Sequence, residues 1–479
     1  MAKRKLATDK TLFDSPETAH AMPEGLYSGD QPNQHLRRFI EGQSKPYDLE
    51  VDDYEATAYD QPLTASKATA IYNMHTYASK KPHDAIREYI RHYTHPGDVV
   101  LDPFCGSGGT ALAALLEGRC GIAIDRSPAA TFITKNYCAP VSASRLMAEY
   151  NKLASRLEVE MKWLYETKCD RCGGQASTGY TVYSHVYQCK RCLQSMPLFD
   201  CHELVVALPE GGSRPALVCP FCYPKQVEEI DTSIENKRDS IPVLVTYHCE
   251  SKCKPKRSKR RHNDPDPKKK EYFAIYDLGK LLEIESKPIP YWFPNQFMMN
   301  CENKSSERWG LLWRPYHKGI RRVADLYTKR NLWAAAALRH AISEVEDNDI
   351  RDALLFGFTA VILNATKMYR ELKRSIASGL YYIPSLSRDL VLMHGYEYKV
   401  KSQLVPGYQE LSALDRPSIA ISTQSATSLS NIPTNSIDYI FTDPPYSWKV
   451  QYGEINFVCG RHGSALTHVG LVRKLSSMK

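Results

Sequence analysis

Hydrophobic residues recur along this chain with two different periods, and the switch between them outlines its elements. Residues 82–94, "PHDAIREYIRHYT", set Ile86, Tyr89, Ile90 and Tyr93 at helical spacing behind Pro82. "HPGDVVLDPF" follows as a turn and a short apolar strand, "TALAALLEGR" as a helix of strong formers, and "CGIAID" as a second strand. This strand–turn–helix–strand order predicts the opening of an α/β fold with a doubly wound sheet. From about residue 141 the pattern changes. A polar helix leads into a cysteine-rich stretch and then an aromatic, proline-rich one, "PIPYWFPNQFMM". Two long helices follow over 328–346 and 349–374, with apolar stripes wide enough to be core. "IAIST" (419–423) and "SIDYIFTD" (436–443) read as buried strands, so the sheet begins, is interrupted and resumes. Residues 1–65 are polar and weakly periodic, and predict an extended arm or loose cap.

The chain of 479 residues exceeds one ordinary domain, and 43% hydrophobic content supports real cores. Neither a membrane-length apolar run nor an apolar segment behind the first charges is present, so a cytoplasmic protein is expected. The formal charge of +8 is modest, but residues 252–270 concentrate ten Lys/Arg against two Asp. That run has two readings: a solvated flexible loop, or a surface for phosphate contact.

In a cytoplasmic chain, fourteen cysteines point to metal rather than disulfides. Cys169, Cys172, Cys189 and Cys192 form one expected zinc set, and Cys219, Cys222, Cys249 and Cys253 a second. Cys201 and His202 lie between the sets as substitute ligands; Cys105, Cys120, Cys138, Cys301 and Cys459 read as plain thiols.

Two strand ends carry the chemistry. In "LDPFCGSGGTALAAL", Gly106 and Gly108 allow a tight turn against a helix start, with Asp102 at the strand end. Asp125 ends the next strand about twenty residues on, where a carboxylate meets ribose hydroxyls. A dinucleotide-type phosphate loop would want a third glycine at a spacing absent here, so a nucleoside with an amino-acid tail fits better. In "FTDPPYSW", Pro444 and Pro445 stiffen the backbone after Asp443 and hold a carbonyl outward beside Tyr446. A carboxylate, a fixed carbonyl and a ring suit the exocyclic amine of a base that has left its stack. The plain alternative is a rigid loop without chemistry.

"DPFCGSGGT" with "DPPY" resembles the amino-methylating DNA methyltransferases, the N6-adenine and N4-cytosine group. "YNMHTYASKKPHDAI" is similar to that family's cofactor-capping segment, and "TKRNLWAAAAL", "SGLYYIP" and "VQYGEINF" resemble a zinc-containing branch associated with restriction–modification and phage defence. The resemblance covers about 70–458. It implies a Rossmann-like methyltransferase sheet, S-adenosylmethionine as cofactor and DNA as partner. His75, Tyr77, Lys80, Asp102, Phe104, Gly106, Ser107, Gly108 and Asp125 would then bind the cofactor. Asp443, Pro444, Pro445 and Tyr446 would form the catalytic segment, with adenine favoured over cytosine. The implied division is an arm (1–70), a cofactor part (71–145), a double zinc ribbon with the basic run (146–270), a helical target-recognition region (271–415), a catalytic part (416–458) and an aberrant tail (459–479).

The sequence departs from the family in two places. Ser425 stands where an acidic residue is common, and about four of the family's seven strands are legible. The expectation is that the tail arises from a shifted reading frame, giving a truncated enzyme or one half of a split enzyme completed by a second chain. A non-catalytic zinc-containing DNA-binding protein and an RNA-guanine methyltransferase are the competing readings.

Overall fold

The computed structural model describes residues 25–463, apart from 46, 49, 140, 209, 234, 254–256, 299–319, 377–380, 413, 415–417 and 445–456. Helix α1 (Leu36–Gln43) precedes α2 (His83–Tyr93), β1 (Val99–Asp102), α3 (Gly109–Leu116), β2 (Cys120–Asp125) and α4 (Pro128–Cys138). Helix α5 (Ala143–Tyr165) leads to β3 (Glu166–Lys168), β4 (Gln175–Gln188), β5 (Lys237–Cys249) and β6 (Ser258–Arg261). Then come α6 (Lys329–Ser343), α7 (Asn348–Val361), β7 (Leu386–Leu390), β8 (Ile419–Thr423) and β9 (Tyr439–Ile440).

Four strands form a parallel sheet in the order β8–β2–β1–β9. Alternation along the strands covers both faces, as a parallel sheet requires. Val99, Leu101, Ile122, Ile124 and Ala420 pack with Leu36 and Ile40 of α1 on one side. On the other, Ala123, Ile419 and Ile421 join Leu112 of α3 and Ile133 of α4. Residues 25–44 are therefore no loose cap. Leu26 O accepts the Ile421 amide at 2.7 Å, and the Asn33 amide donates to Ser422 Oγ at 2.9 Å, stitching this segment to the β8 edge. The strand expected over 436–443 has only Tyr439 and Ile440 in the ladder, though Phe441 N still donates to Leu101 O at 3.2 Å.

The interruption folds as an antiparallel sheet in the order β7–β4–β5–β6, with β3 also paired to β4. Buried Arg330 of α6 donates to Asp389 Oδ2 of β7 at 2.5 Å and to Thr181 Oγ1 of β4 at 2.8 Å, tying this lobe to the helices. Helix α7 ends at Val361, well short of the expected 374. Thr366 Oγ1 donates to Leu363 O and Asn331 Nδ2 to Ala365 O, so side chains take over the last carbonyls. Among the described residues no helix is long and apolar enough to cross a membrane.

Candidate active site and metal centres

The carboxyl ends of β1, β2 and β9 deliver three carboxylates to one edge of the parallel sheet. After Asp102 the chain reverses through 103–108. The Cys105 amide donates to Ile124 O at 2.9 Å and the Gly108 amide to Cys105 O at 2.7 Å. Gly106 and Gly108 sit at φ +52° and +78°, where a side chain is strained. Space is short as well: a Cβ on Gly108 would lie 2.7 Å from Thr134 Cγ2, and one on Gly106 would lie 3.1 Å from the Tyr77 ring. The room expected for a ligand at these two α-carbons is thus filled by α4 and by Tyr77.

Asp102 accepts from Phe104 N at 3.0 Å and Thr110 Oγ1 at 2.6 Å. Burial pushes its carboxyl up to about 6, against the hydrogen bonds from Thr110, Phe104 and Thr442. Asp125 accepts from Gly106 N at 2.9 Å and Ser127 N at 2.8 Å, and burial raises its carboxyl too. Neither acid has a cationic ion-pair partner among the described residues. Ser107 is buried, whereas the Phe104 ring is 39% exposed on the turn.

The segment upstream of α2 lies against this turn, but its polar groups face inward. His75 is buried, with Nδ1 on Thr76 O at 2.6 Å, Nε2 on Thr359 Oγ1 at 3.1 Å, and its ring stacked on Phe356. Burial drives its pKa down to about 3. Lys80 Nζ donates to Tyr72 O and Tyr137 Oη, both at 2.6 Å, and to His75 O at 3.3 Å. Burial, and next the charge of Lys399, lower its pKa to about 7. His75 and Lys80 therefore shape the loop from within, and Tyr77 is the residue of the three laid over Gly106.

Because β9 lies beside β1, Asp443 leaves the sheet next to Asp102, and Thr442 hydrogen-bonds the Asp102 carboxylate. Lys81 Nζ donates to Asp443 Oδ2 at 2.5 Å and to Ser79 O at 3.3 Å. The Lys81 carbonyl lies 3.8 Å from where a Gly109 Cβ would be, which puts the lysine at the start of α3. Sequence reasoning named Lys80 and passed over Lys81. The signal was the lysine doublet itself: one side chain turns in, the other out. Pro445 and Tyr446 lie outside the described residues.

The cysteine sets need correction. The sulfurs of Cys169, Cys172, Cys249 and Cys253 lie within 4.8 Å of one another, and those of Cys189, Cys192, Cys219 and Cys222 form the second group. The pairs are nested, not consecutive. Long strands β4 and β5 run antiparallel, with Ala176 opposite Cys249 and Tyr187 opposite Lys237. The first and last pairs therefore meet at one end of the ribbon and the middle pairs at the other. Sulfur separations of 3.5 Å (Cys169–Cys253, Cys172–Cys249), 3.9 Å (Cys189–Cys222) and 3.7 Å (Cys192–Cys219) fit the edge of a tetrahedron with bonds of about 2.3 Å. Gly173 and Leu193, each directly after the second cysteine of a pair, have φ of +71° and +60° and close the knuckle turns. Cys201 and His202 belong to neither group. Cys105, Cys120 and Cys138 are buried single thiols, and Cys301 lies outside the described residues.

The basic run is a loop only in part where it is described, at 252–253, 257 and 262–266. Ser258–Arg261 is strand β6, and Pro267–Tyr272 is helical. Arg260 is fully buried, with Nε on Asp277 Oδ2 at 2.5 Å, Nη2 on Asp277 Oδ1 at 2.7 Å and Nη1 on Lys168 O at 2.7 Å.

A protein of Escherichia coli (strain K12) named "Putative methylase YubD" is 45% identical over 49 residues, which is 10% of this chain and 22% of that protein. The chain thus matches about a fifth of that relative's length. No solved structure matches. Residues 30–136, which run from the segment stitched to β8 through the glycine turn and Asp125 to α4, match the N6/N4 DNA methylase family model.

Proposed function

We propose that the chain is an S-adenosylmethionine-dependent DNA methyltransferase acting on the exocyclic amine of an extruded base, adenine N6 foremost. One observation carries this reading: Asp443 leaves the sheet beside Asp102 and the glycine turn, on the edge formed by a DNA-methylase-like segment. The donor set fits the cofactor. Buried Asp102 and half-buried Asp125, neither with a cationic partner among the described residues, are costly to ionise, and a ligand carrying an ammonium and vicinal hydroxyls relieves that cost. Asp102, Asp125, Phe104 and the backbone of 104–108 would hold it, with Tyr77 closing over Gly106.

S-adenosylmethionine supplies an electrophilic methyl group on a sulfonium. The chain supplies position. Asp443 would accept one amine hydrogen and the Pro444 carbonyl the other; Tyr446, which lies outside the described residues, is the expected platform for the base. The amine lone pair is drawn out of conjugation with the ring and toward the sheet edge. Lys81 occupies the same Asp443 oxygen, so an incoming amine must displace it or share that oxygen. No general base is required before attack, because orientation and partial-charge stabilisation lower the barrier; the proton that the methylated amine must then shed would pass to the Asp443 carboxylate and on to water. Two structural zinc ions, one per nested group of four cysteines, would hold the ribbon.

The test uses purified chain, methyl-labelled cofactor and unmethylated duplex DNA. Asp443→Ala is expected to cut transfer about a thousandfold with cofactor affinity within about twofold. Parallel loss of transfer and cofactor binding would contradict the role given to Asp443. Salt-dependent DNA retention without any transfer would favour the non-catalytic reading.

A further inference from the structure

Strand β6 is the edge of the antiparallel sheet, and its side chains split by parity. Arg260 points inward to Asp277, whereas Lys259 and Arg261 are exposed, as is Arg257 just before the strand. None of these three has a carboxylate ion-pair partner among the described residues. Arg257 donates to His248 Nε2 at 2.9 Å and lies 5.6 Å from the Tyr180 ring centroid, while the Arg261 guanidinium lies 5.8 Å from that of Phe199. The Asp264 carboxylate accepts the Arg261 backbone amide at 3.2 Å. Helix α2 offers a contrast. There Arg87 and Arg91 are neutralised by Glu117, Asp84 and Glu88.

We infer that the β6 edge, through Arg257, Lys259 and Arg261, is a contact surface for the phosphate backbone of duplex DNA. Order and spacing favour such a contact. A flexible cationic loop loses entropy when it binds, but buried Arg260 already fixes this strand. Alternate strand residues stand about 6.7 Å apart, comparable to the through-space distance between neighbouring phosphates of one DNA strand, which advance about 3.4 Å per step along the helix axis and further around it. Cations held without protein acids are free to displace condensed counterions, which is the main source of sequence-independent affinity. The choice of DNA over RNA rests on the proposed function; the cationic row does not.

The experiment measures anisotropy of a fluorescein-labelled unmethylated DNA duplex with the full chain, without cofactor, over about 50–200 mM salt. Arg257→Ala/Lys259→Ala/Arg261→Ala should flatten the log–log salt slope by nearly one unit per cation removed. The single Lys259→Gln, which changes one exposed amine, should flatten it by about one unit and covers the case where the triple variant does not fold. A folded variant with the wild-type slope overturns the inference, as does a wild-type chain without salt-dependent affinity for the duplex. Loss of slope confined to an RNA duplex overturns it too. Failure here can be told apart from failure of the proposed function. Methyl transfer with an unchanged slope sinks only this inference, and a changed slope without transfer sinks only the enzyme.

Discussion

The glycine turn and the cysteine ribbon both gather polar groups onto turns, yet they are encoded differently. At the turn, Asp102, Gly106, Thr110 and Asp125 bond to one another across at most 19 positions. In the ribbon, Cys169 meets Cys253 across 84 positions and Cys172 meets Cys249 across 77. The first arrangement follows from a strand, a tight turn and a helix in succession. The second exists only once β4 and β5 have paired in register, so local spacing names the ligands without naming their partners.

The largest effect that separates the two regions is loss of a whole metal ion. Cys172→Ser with Cys253→Ser should remove one zinc per chain by elemental analysis, and Cys172→Ser with Cys192→Ser should remove both. Consecutive pairing would reverse these counts. Next is Arg260→Ala, which leaves Asp277 buried and unpaired. A loss of about 3–5 kcal/mol in the stability of the ribbon lobe is expected in denaturant unfolding, and Arg261→Ala should cost little. At the turn, Gly108→Ala combines a left-handed backbone with a clash against Thr134. About 2 kcal/mol of destabilisation is expected from chemical melts; a neutral result would mean the turn relaxes freely.

The smallest effect is a pH dependence. Asp102 has a folded pKa raised to about 6, above an unfolded value of about 3.9. Its stability contribution is therefore best below the unfolded value. It declines as pH rises through the window to about 6 and stays low above it. Binding of a cationic ligand runs the other way, because it needs the ionised form. Cofactor affinity should rise about tenfold between about pH 5 and 7 by calorimetry, and Asp102→Asn should flatten the curve. An unchanged profile in that variant would remove Asp102 from ligand binding.

How much was legible follows the same division. The helix over 83–93 and the strands Val99–Asp102, Cys120–Asp125 and Ile419–Thr423 stood in the hydrophobic pattern, because each buries its own apolar face. Residues 25–44 were misread as loose: their hold on the sheet comes from Leu26 and Asn33 bonding to Ile421 and Ser422, which composition does not register. Lys80 and His75 looked like ligand residues, but burial turned them into supports for the loop beneath Tyr77. The basic run looked uniform, and a strand's two-residue alternation divided it into one core arginine and an outward row.

Sequence alone determined which chemistry is present: acids at strand ends, glycines where φ must be positive, and thiolates in pairs a knuckle can hold. These depend on bond geometry and on neighbours a few residues away. Tertiary structure alone decided which cysteine pairs come together, which of two adjacent lysines reaches Asp443, and which cation of 257–261 is buried. Those outcomes depend on strand register and on the free energy of burying charge, and both are set by segments far apart in the chain.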